Sequence, residues 1–244
     1  MNKNLLKGLK GHRTLVFLDF EGTQFSHEMI AIGALTVSIN PKNGRIDKRK
    51  PPFKIYVKAH NKIGGYVVNL TGITEDTLKN KGVSFDTAMK SLRKYVGIHF
   101  KQATFITFGN HDIRILNQSI SYNIVYPKDV TSQIQKNYFD FSNFLNEFIK
   151  DENGNSLSLV HFCQLFNIEE AGVAHDPEVD AINLANLYDA FIANPDLVQA
   201  EYKKHLAKHT SSLPYPVGKA IQKLASGENV SAEEFESYLK EYIS

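Results

Sequence analysis

One cysteine, Cys163, and no tryptophan occur in a chain of 244 residues. A lone thiol excludes an intramolecular disulfide and a cysteine-rich metal site, and it suits a reducing compartment. No run approaches the roughly 20 apolar residues that span a bilayer. The opening residues, Met1-Asn2-Lys3-Asn4-Leu5-Leu6-Lys7, lack the long apolar stretch of a secretory signal. The expectation is a cytoplasmic protein with no membrane partner. Internal repeats and low-complexity segments are also missing. So is a large charge excess, since the formal net charge is only +2.

What is present is enough apolar material, 42% of residues, for a sizeable core. It can be organised as one domain of about 200 residues with an extension, or as two small domains. Charge is unevenly placed: eight basic residues lie between Lys42 and Lys62 against Asp47 alone, a local +7 that leaves −5 for the remainder. This stretch reads equally as a track for a phosphate backbone and as a solvated connection between strands.

Residues 14–20, 29–37 and 53–57 have the apolar patterning of strands, and the short polar connections between them imply an antiparallel meander. From Phe85 the period changes to that of a helix through Ala88, Met89, Leu92 and Val96, with Ser84 placed to cap it. A strand at 104–108, a helix from Asp112, a possible strand at 138–141 and further helices follow. The pattern predicts a mixed five-stranded sheet flanked by helices, an α/β architecture. It breaks at Asn194-Pro195, which divides the chain into a domain at 1–195 and a helical extension at 196–244.

Asp19-Phe20-Glu21 ends the apolar run Leu15-Val16-Phe17-Leu18. Side chains alternate along a strand, so the two carboxylates share a face. At the edge of an apolar core they repel and lose hydration, and a divalent cation is the usual compensation. Solvation of a loop is the plainer reading of this pair alone. Asp112 and Asp180 each stand at a predicted helix start, where an Asp also serves as an N-cap. His175 precedes Asp180 by five positions, in a loop where a surface role is equally open. Together, four carboxylates and one histidine meet the needs of two-metal phosphodiester cleavage: oxygen ligands for hard cations and a base titrating near neutrality.

The order and context of these residues resemble the DEDDh branch of the 3′–5′ exonucleases, whose relatives include the epsilon proofreading subunit, ribonuclease T and oligoribonuclease. Asp19-Phe20-Glu21-Gly22-Thr23 is similar to that family's first motif and Glu28-Met29-Ile30-Ala31-Ile32-Gly33-Ala34 to its second strand. Asp112 sits at the second motif, and His175 through Asp180 have the H-x4-D spacing of the third. Leu70-Thr71-Gly72-Ile73-Thr74 matches a segment that touches the terminal nucleotide. The resemblance covers roughly residues 12–193. It implies a ribonuclease-H-like fold and two Mg²⁺ or Mn²⁺ ions held by Asp19, Glu21, Asp112 and Asp180, with Asp19 reaching both ions and His175 as general base. It also implies that Gly22, Thr23, Leu70 and Ile73 hold the 3′-terminal nucleoside. Phe25 has two open roles, stacking on a base or filling the core.

There are departures. The second motif reads Phe108-Gly109-Asn110-His111-Asp112, closer to the exoribonuclease branch that trims structured RNA ends, and Asp176-Pro177-Glu178 puts a proline and two carboxylates between His175 and Asp180. The resulting expectation is a 3′–5′ exonuclease that acts on single-stranded nucleic acid, RNA before DNA, and releases nucleoside 5′-monophosphates. A DNA-trimming or proofreading enzyme and a catalytically silent binding module are the alternatives. The sequence identifies no protein partner.

Overall fold

The computed structural model describes residues 3–173 and 175–244. Six strands, β1 (Thr14–Gly22), β2 (Met29–Ile39), β3 (Ile46–Arg49), β4 (Phe53–Tyr56), β5 (Ala103–Thr107) and β6 (Tyr138–Asp140), form one mixed sheet. In chain order the helices of this part are α1 (Lys3–Gly8), α2 (Gly65–Thr71), α3 (Glu75–Lys81), α4 (Phe85–Val96), α5 (His111–Tyr122), α6 (Lys128–Lys136), α7 (Phe141–Leu145), α8 (Leu159–Leu165) and α9 (Pro177–Ala193). Three more, α10 (Pro195–Lys208), α11 (Tyr215–Ala225) and α12 (Ala232–Ile243), complete the chain.

β1 is central. It pairs antiparallel with β2 and parallel with β5, which pairs in parallel with β6. Its continuous apolar run suits a strand covered on both faces. Val16, Leu18 and Phe20 join α4 and α5 in one core cluster with Phe85, Met89, Leu92 and Ile115. Phe17 points the other way, its ring 5.5 Å from that of Tyr188 on α9. Alternation therefore carries Asp19 and Glu21 to the α9 face. Ser84 caps α4 as its sequence predicts, accepting a hydrogen bond from the Thr87 N–H.

The sheet has one more strand than the expected five. β3 and β4 both pair antiparallel with β2, β3 at Val37–Ile39 and β4 at Ala31–Ala34. They thus lie end to end along its outer edge. β3 reads Ile-Asp-Lys-Arg, and such charged residues hide a short edge strand from hydropathy while protecting it from further pairing. Part of the cationic stretch is structural. Arg45 donates from Nε and Nη2 to Asp189 of α9 at 2.8 and 2.7 Å, and the Ile46 N–H adds a third bond to the same carboxylate. Lys54 pairs with Asp176 at 2.6 Å. These bonds fasten the sheet edge to α9.

By contact, the chain separates into one unit of residues 1–144 with 158–193 and a second of 145–157 with 194–244. The second unit thus includes Leu145–Leu157, which the sequence pattern assigns to the first domain. Phe148 packs edge-on to Tyr202 at 5.6 Å, so this connecting segment belongs with the helical appendage. Within that unit, Ser231 and Glu234 form a capping box at the start of α12. Among the described residues, no helix is long and apolar enough to cross a membrane.

Candidate active site

Three elements bring the sequence-predicted carboxylates to one end of β1. Asp19 and Glu21 project from its last turn of pleat toward α9. Asp112 lies in the first turn of α5 but does not cap it; the cap position is Asn110. Its Oδ1 instead accepts the Phe20 N–H at 2.7 Å, the backbone group between Asp19 and Glu21. Asp180 lies in the first turn of α9, which begins at Pro177 rather than at Asp180 itself. Its Oδ2 accepts the His175 N–H at 2.9 Å, which ties the histidine's backbone to the carboxylate cluster.

His175 is exposed and holds φ at +65°, a conformation uncommon for a residue with a side chain. Asp176 stabilises the turn by accepting the Glu178 N–H at 3.0 Å. Ala174 lies outside the described residues.

Each of the four carboxylates is held above its ordinary pKa, as expected of acids crowded in one space. Burial raises Asp19 well above the usual carboxylate range, and the charges of Asp112, Glu21 and Asp180 add to that rise. Glu21 is pushed up to about 8, by burial first and then by Asp180 and Asp112, with Lys54 acting in the opposite sense. Burial takes Asp112 to about 7, against the hydrogen bond from Phe20. Asp180 is also raised by burial, with the His175 N–H offsetting part of the rise. Among the described residues, no three His, Cys, Asp or Glu side chains stand at the spacing of a metal's ligand shell. The donor set still fits hard cations: the Asp19 and Glu21 carboxylates receive no hydrogen bond from any described residue, and oxygen ligands of this charge suit Mg²⁺ or Mn²⁺.

A carboxylate whose folded pKa exceeds its unfolded value favours the protonated fold. Its stabilising effect is complete below the unfolded value, near 4, and is lost as pH rises through the folded one. The values of about 7 for Asp112 and about 8 for Glu21 place this loss between pH 4 and 8. The protein in a chelating buffer is expected to melt about 5 °C lower at pH 8.5 than at pH 5.5, at roughly 2–4 °C per kcal/mol for a chain of this size. Millimolar Mn²⁺ at pH 8.5 should restore the difference. A melting temperature that is flat or rising over that range in differential scanning fluorimetry would contradict the shared-space picture.

The residues expected to hold a nucleoside divide. Phe25 is 82% exposed at the tip of the turn after β1, which removes its core role. Leu70, on α2, is also exposed. Ile73 is buried with Ile30, Ile63, Val67 and Leu78, so it supports the surface from beneath. Gly22 ends β1 at a bulge. Thr23 donates its N–H to the Glu28 carbonyl, and its hydroxyl accepts the Glu28 N–H at 2.9 Å and bonds Ser26 at 2.6 Å. Both of these groups are engaged within the turn.

Several supporting residues are given no role of their own by the sequence. The buried Glu28 carboxylate accepts the N–H groups of His60 and Asn61 and bonds both of their side chains, fixing the loop that leads to α2. Asp140 accepts the Gly109 N–H at 3.1 Å and adds to the raised pKa of Asp112. His27 and His111 meet edge to face at 5.4 Å beside Asp112. Gly33, paired opposite Asp19, has the carbonyl of Pro177 only 1.8 Å from where a Cβ would stand. A glycine inside an apolar strand is the one sequence signal of that close approach.

The Exonuclease family model, RNase_T, matches residues 16–188. Cell-death related nuclease 4 is 20% identical, with a TM-score of 0.59 over 75% of this chain and 64% of that one. The nuclease domain of 3′hExo, a DEDDh family member bound to rAMP, is 18% identical with a TM-score of 0.59 over 75% of this chain and 93% of that one. Exonuclease I of E. coli in complex with a dA16 oligonucleotide is 17% identical with a TM-score of 0.58 over 83% of this chain and 46% of that one. These likenesses concern the fold, and the chain spans just under two thirds of the length of cell-death related nuclease 4. No curated protein matches.

Proposed function

The chain belongs to the exonuclease family, and on that premise we propose that it is a 3′–5′ exonuclease using two Mg²⁺ or Mn²⁺ ions. It hydrolyses single-stranded nucleic acid from the 3′ end, RNA in preference to DNA, and releases nucleoside 5′-monophosphates in the cytoplasm. The observation that carries the reading is the set of four carboxylates, from β1, α5 and α9, at a strand's carboxyl end, where Asp112 and Asp180 raise the pKa values of Asp19 and Glu21 and Asp180 raises that of Asp112. Strand ends of this kind collect ligand sites in open sheets. We assign the chemistry to the sequence-derived domain at 1–195, less the 145–157 segment and Asn194-Pro195 that group with the appendage of 196–244.

When bound, such cations lower the pKa of a water and neutralise charge on the leaving oxygen. Asp19, Glu21 and Asp180 would hold one ion. Asp19 would hold the second as well, with Asp112 contributing directly or through water. Water attacks phosphorus as His175 takes its proton, the bond from phosphorus to the 3′ oxygen breaks, and that oxygen leaves as a hydroxyl with a proton from solvent. Phe25 and Leu70 offer exposed apolar faces to the terminal base.

The test uses 5′-labelled single-stranded RNA and DNA of one sequence, with Mg²⁺, Mn²⁺ or EDTA. Stepwise shortening from the 3′ end, faster on RNA and abolished by EDTA, is expected. Internal cuts or cleavage that survives EDTA would overturn the proposal, and faster DNA loss would reverse the substrate preference. His175→Ala should lower kcat by about 10²–10⁴-fold, the usual range for a general base. An unchanged rate would remove His175 from the chemistry.

A further inference from the structure

At the end of β1 opposite the carboxylates, two adjoining cavities of about 360 and 650 Å³ share Thr14, Ser38 and His99 in their walls. The first is lined by Lys48, Arg49 and Lys50, the second by His12 and Arg13, and no carboxylate lines either. Asp47, the only acid of that stretch of sequence, is not in the walls.

The charges here are treated differently from those a few residues away. Arg45 and Lys54 are neutralised by Asp189 and Asp176. Arg49 donates to the neutral amide of Asn186 at 2.6 Å, and Lys50 to the carbonyls of Tyr95 and Val96 at 2.8 and 3.1 Å. Those bonds aim the two cations; the charge of Arg49 is offset in part by Asp189, which it helps Arg45 hold below the usual carboxylate range. Arg13 and Lys48 are exposed and have no side-chain partner among the described residues. Four like charges around one groove repel unless an anion sits among them. Two joined cavities are larger than a single phosphate needs, and the Val37 and Val96 floor accepts an apolar base or sugar face.

We propose that this groove is a second binding site, for the phosphate backbone of a single-stranded polynucleotide. Thr14 and Asp19 are five strand residues apart, roughly 16 Å at about 3.3 Å each. That straight line runs along a buried strand, so the path over the surface is longer, and a chain of several nucleotides covers it where a trinucleotide held at the carboxylates falls short. The inference leans on the proposed activity only for the identity of the ligand.

The 244-residue chain in EDTA, which prevents degradation, is titrated with labelled 20-nucleotide oligo(U) and with a trinucleotide across a salt series. Arg13→Glu with Lys48→Glu is the chosen variant, because neither side chain holds the fold; its melting temperature serves as the check. For the 20-mer, affinity at 0.1 M salt should fall about 10-fold, and the salt slope should shrink by about 1.4, at ~0.7 for each lost single-strand phosphate contact. Trinucleotide binding should not change. A variant that keeps the wild-type affinity and slope would overturn the proposal. So would complete displacement of the 20-mer by 10 mM inorganic phosphate, which would mark a small-anion site. If the wild type binds as expected but degrades nothing with Mn²⁺, the exonuclease reading falls and the groove stands.

Discussion

Asp19→Asn is expected to lower 3′-end degradation by about 10³-fold or more while raising the melting temperature of the protein in chelating buffer at pH 8 by about 5 °C. The two effects share one cause. Asp19 is the carboxylate on which burial and the charges of Asp112, Glu21 and Asp180 all act to raise the pKa, so its ionised form is disfavoured in the fold. An amide of the same shape removes that repulsion, and 1 kcal/mol is worth about 2–4 °C in a chain of this size. The same substitution removes the ligand proposed to reach both ions, whose charge stabilisation is worth several kcal/mol, at 1.36 kcal/mol per tenfold in rate. A merely structural Asp19 would give the opposite pattern, with lower stability and retained rate. Kinetics of 3′-end release and melting in EDTA, on one preparation, read both quantities. A stabilised variant that keeps its rate would remove Asp19 from the chemistry, and a destabilised, inactive one would refute the electrostatic account.

Much of this arrangement is legible in the sequence because its signals are local. The apolar run before Asp19 and the period-two rule place Asp19 and Glu21 on one face, and the 3.6-residue period with Ser84 finds α4. Other features depend on contacts distant in sequence. α2 and α3 are only seven residues each, too short for a period to emerge, and are separated at Gly72, which caps α2 with φ at +69°. Asp112 looks like a helix cap, yet its carboxylate serves the backbone of a strand ninety-two positions earlier. The cationic stretch reads as one surface because sequence does not reveal that Asp189 and Asp176 neutralise part of it. What remains of its charge after that pairing, joined by Arg13 from the start of β1, makes the groove.

Gly33→Ala tests how the two halves of the site are held together. Gly33 stands directly opposite Asp19 in the β1–β2 register, and residues so paired send their side chains to the same face. The missing side chain is what lets the first turn of α9 settle over Asp19. A Cβ there would lie 1.8 Å from the Pro177 oxygen, 2.0 Å from its carbonyl carbon and 2.5 Å from the Glu178 nitrogen. All three are backbone atoms, so no rotamer change relieves the clash. The sheet is the larger structure and α9 starts on a loop, so the helix start should move by more than 1 Å, and Asp180 and His175 with it. Displacements of that size cost about 10²-fold in rate, and overpacking costs about 1–3 kcal/mol. The expected result is a kcat lower by about 10²-fold and a melting temperature lower by about 5 °C, while Gly65→Ala, which meets open space, melts within about 1 °C of wild type. Wild-type kcat in Gly33→Ala would show that the carboxylates of β1 act without a fixed α9, and the four-carboxylate site would have to be redrawn.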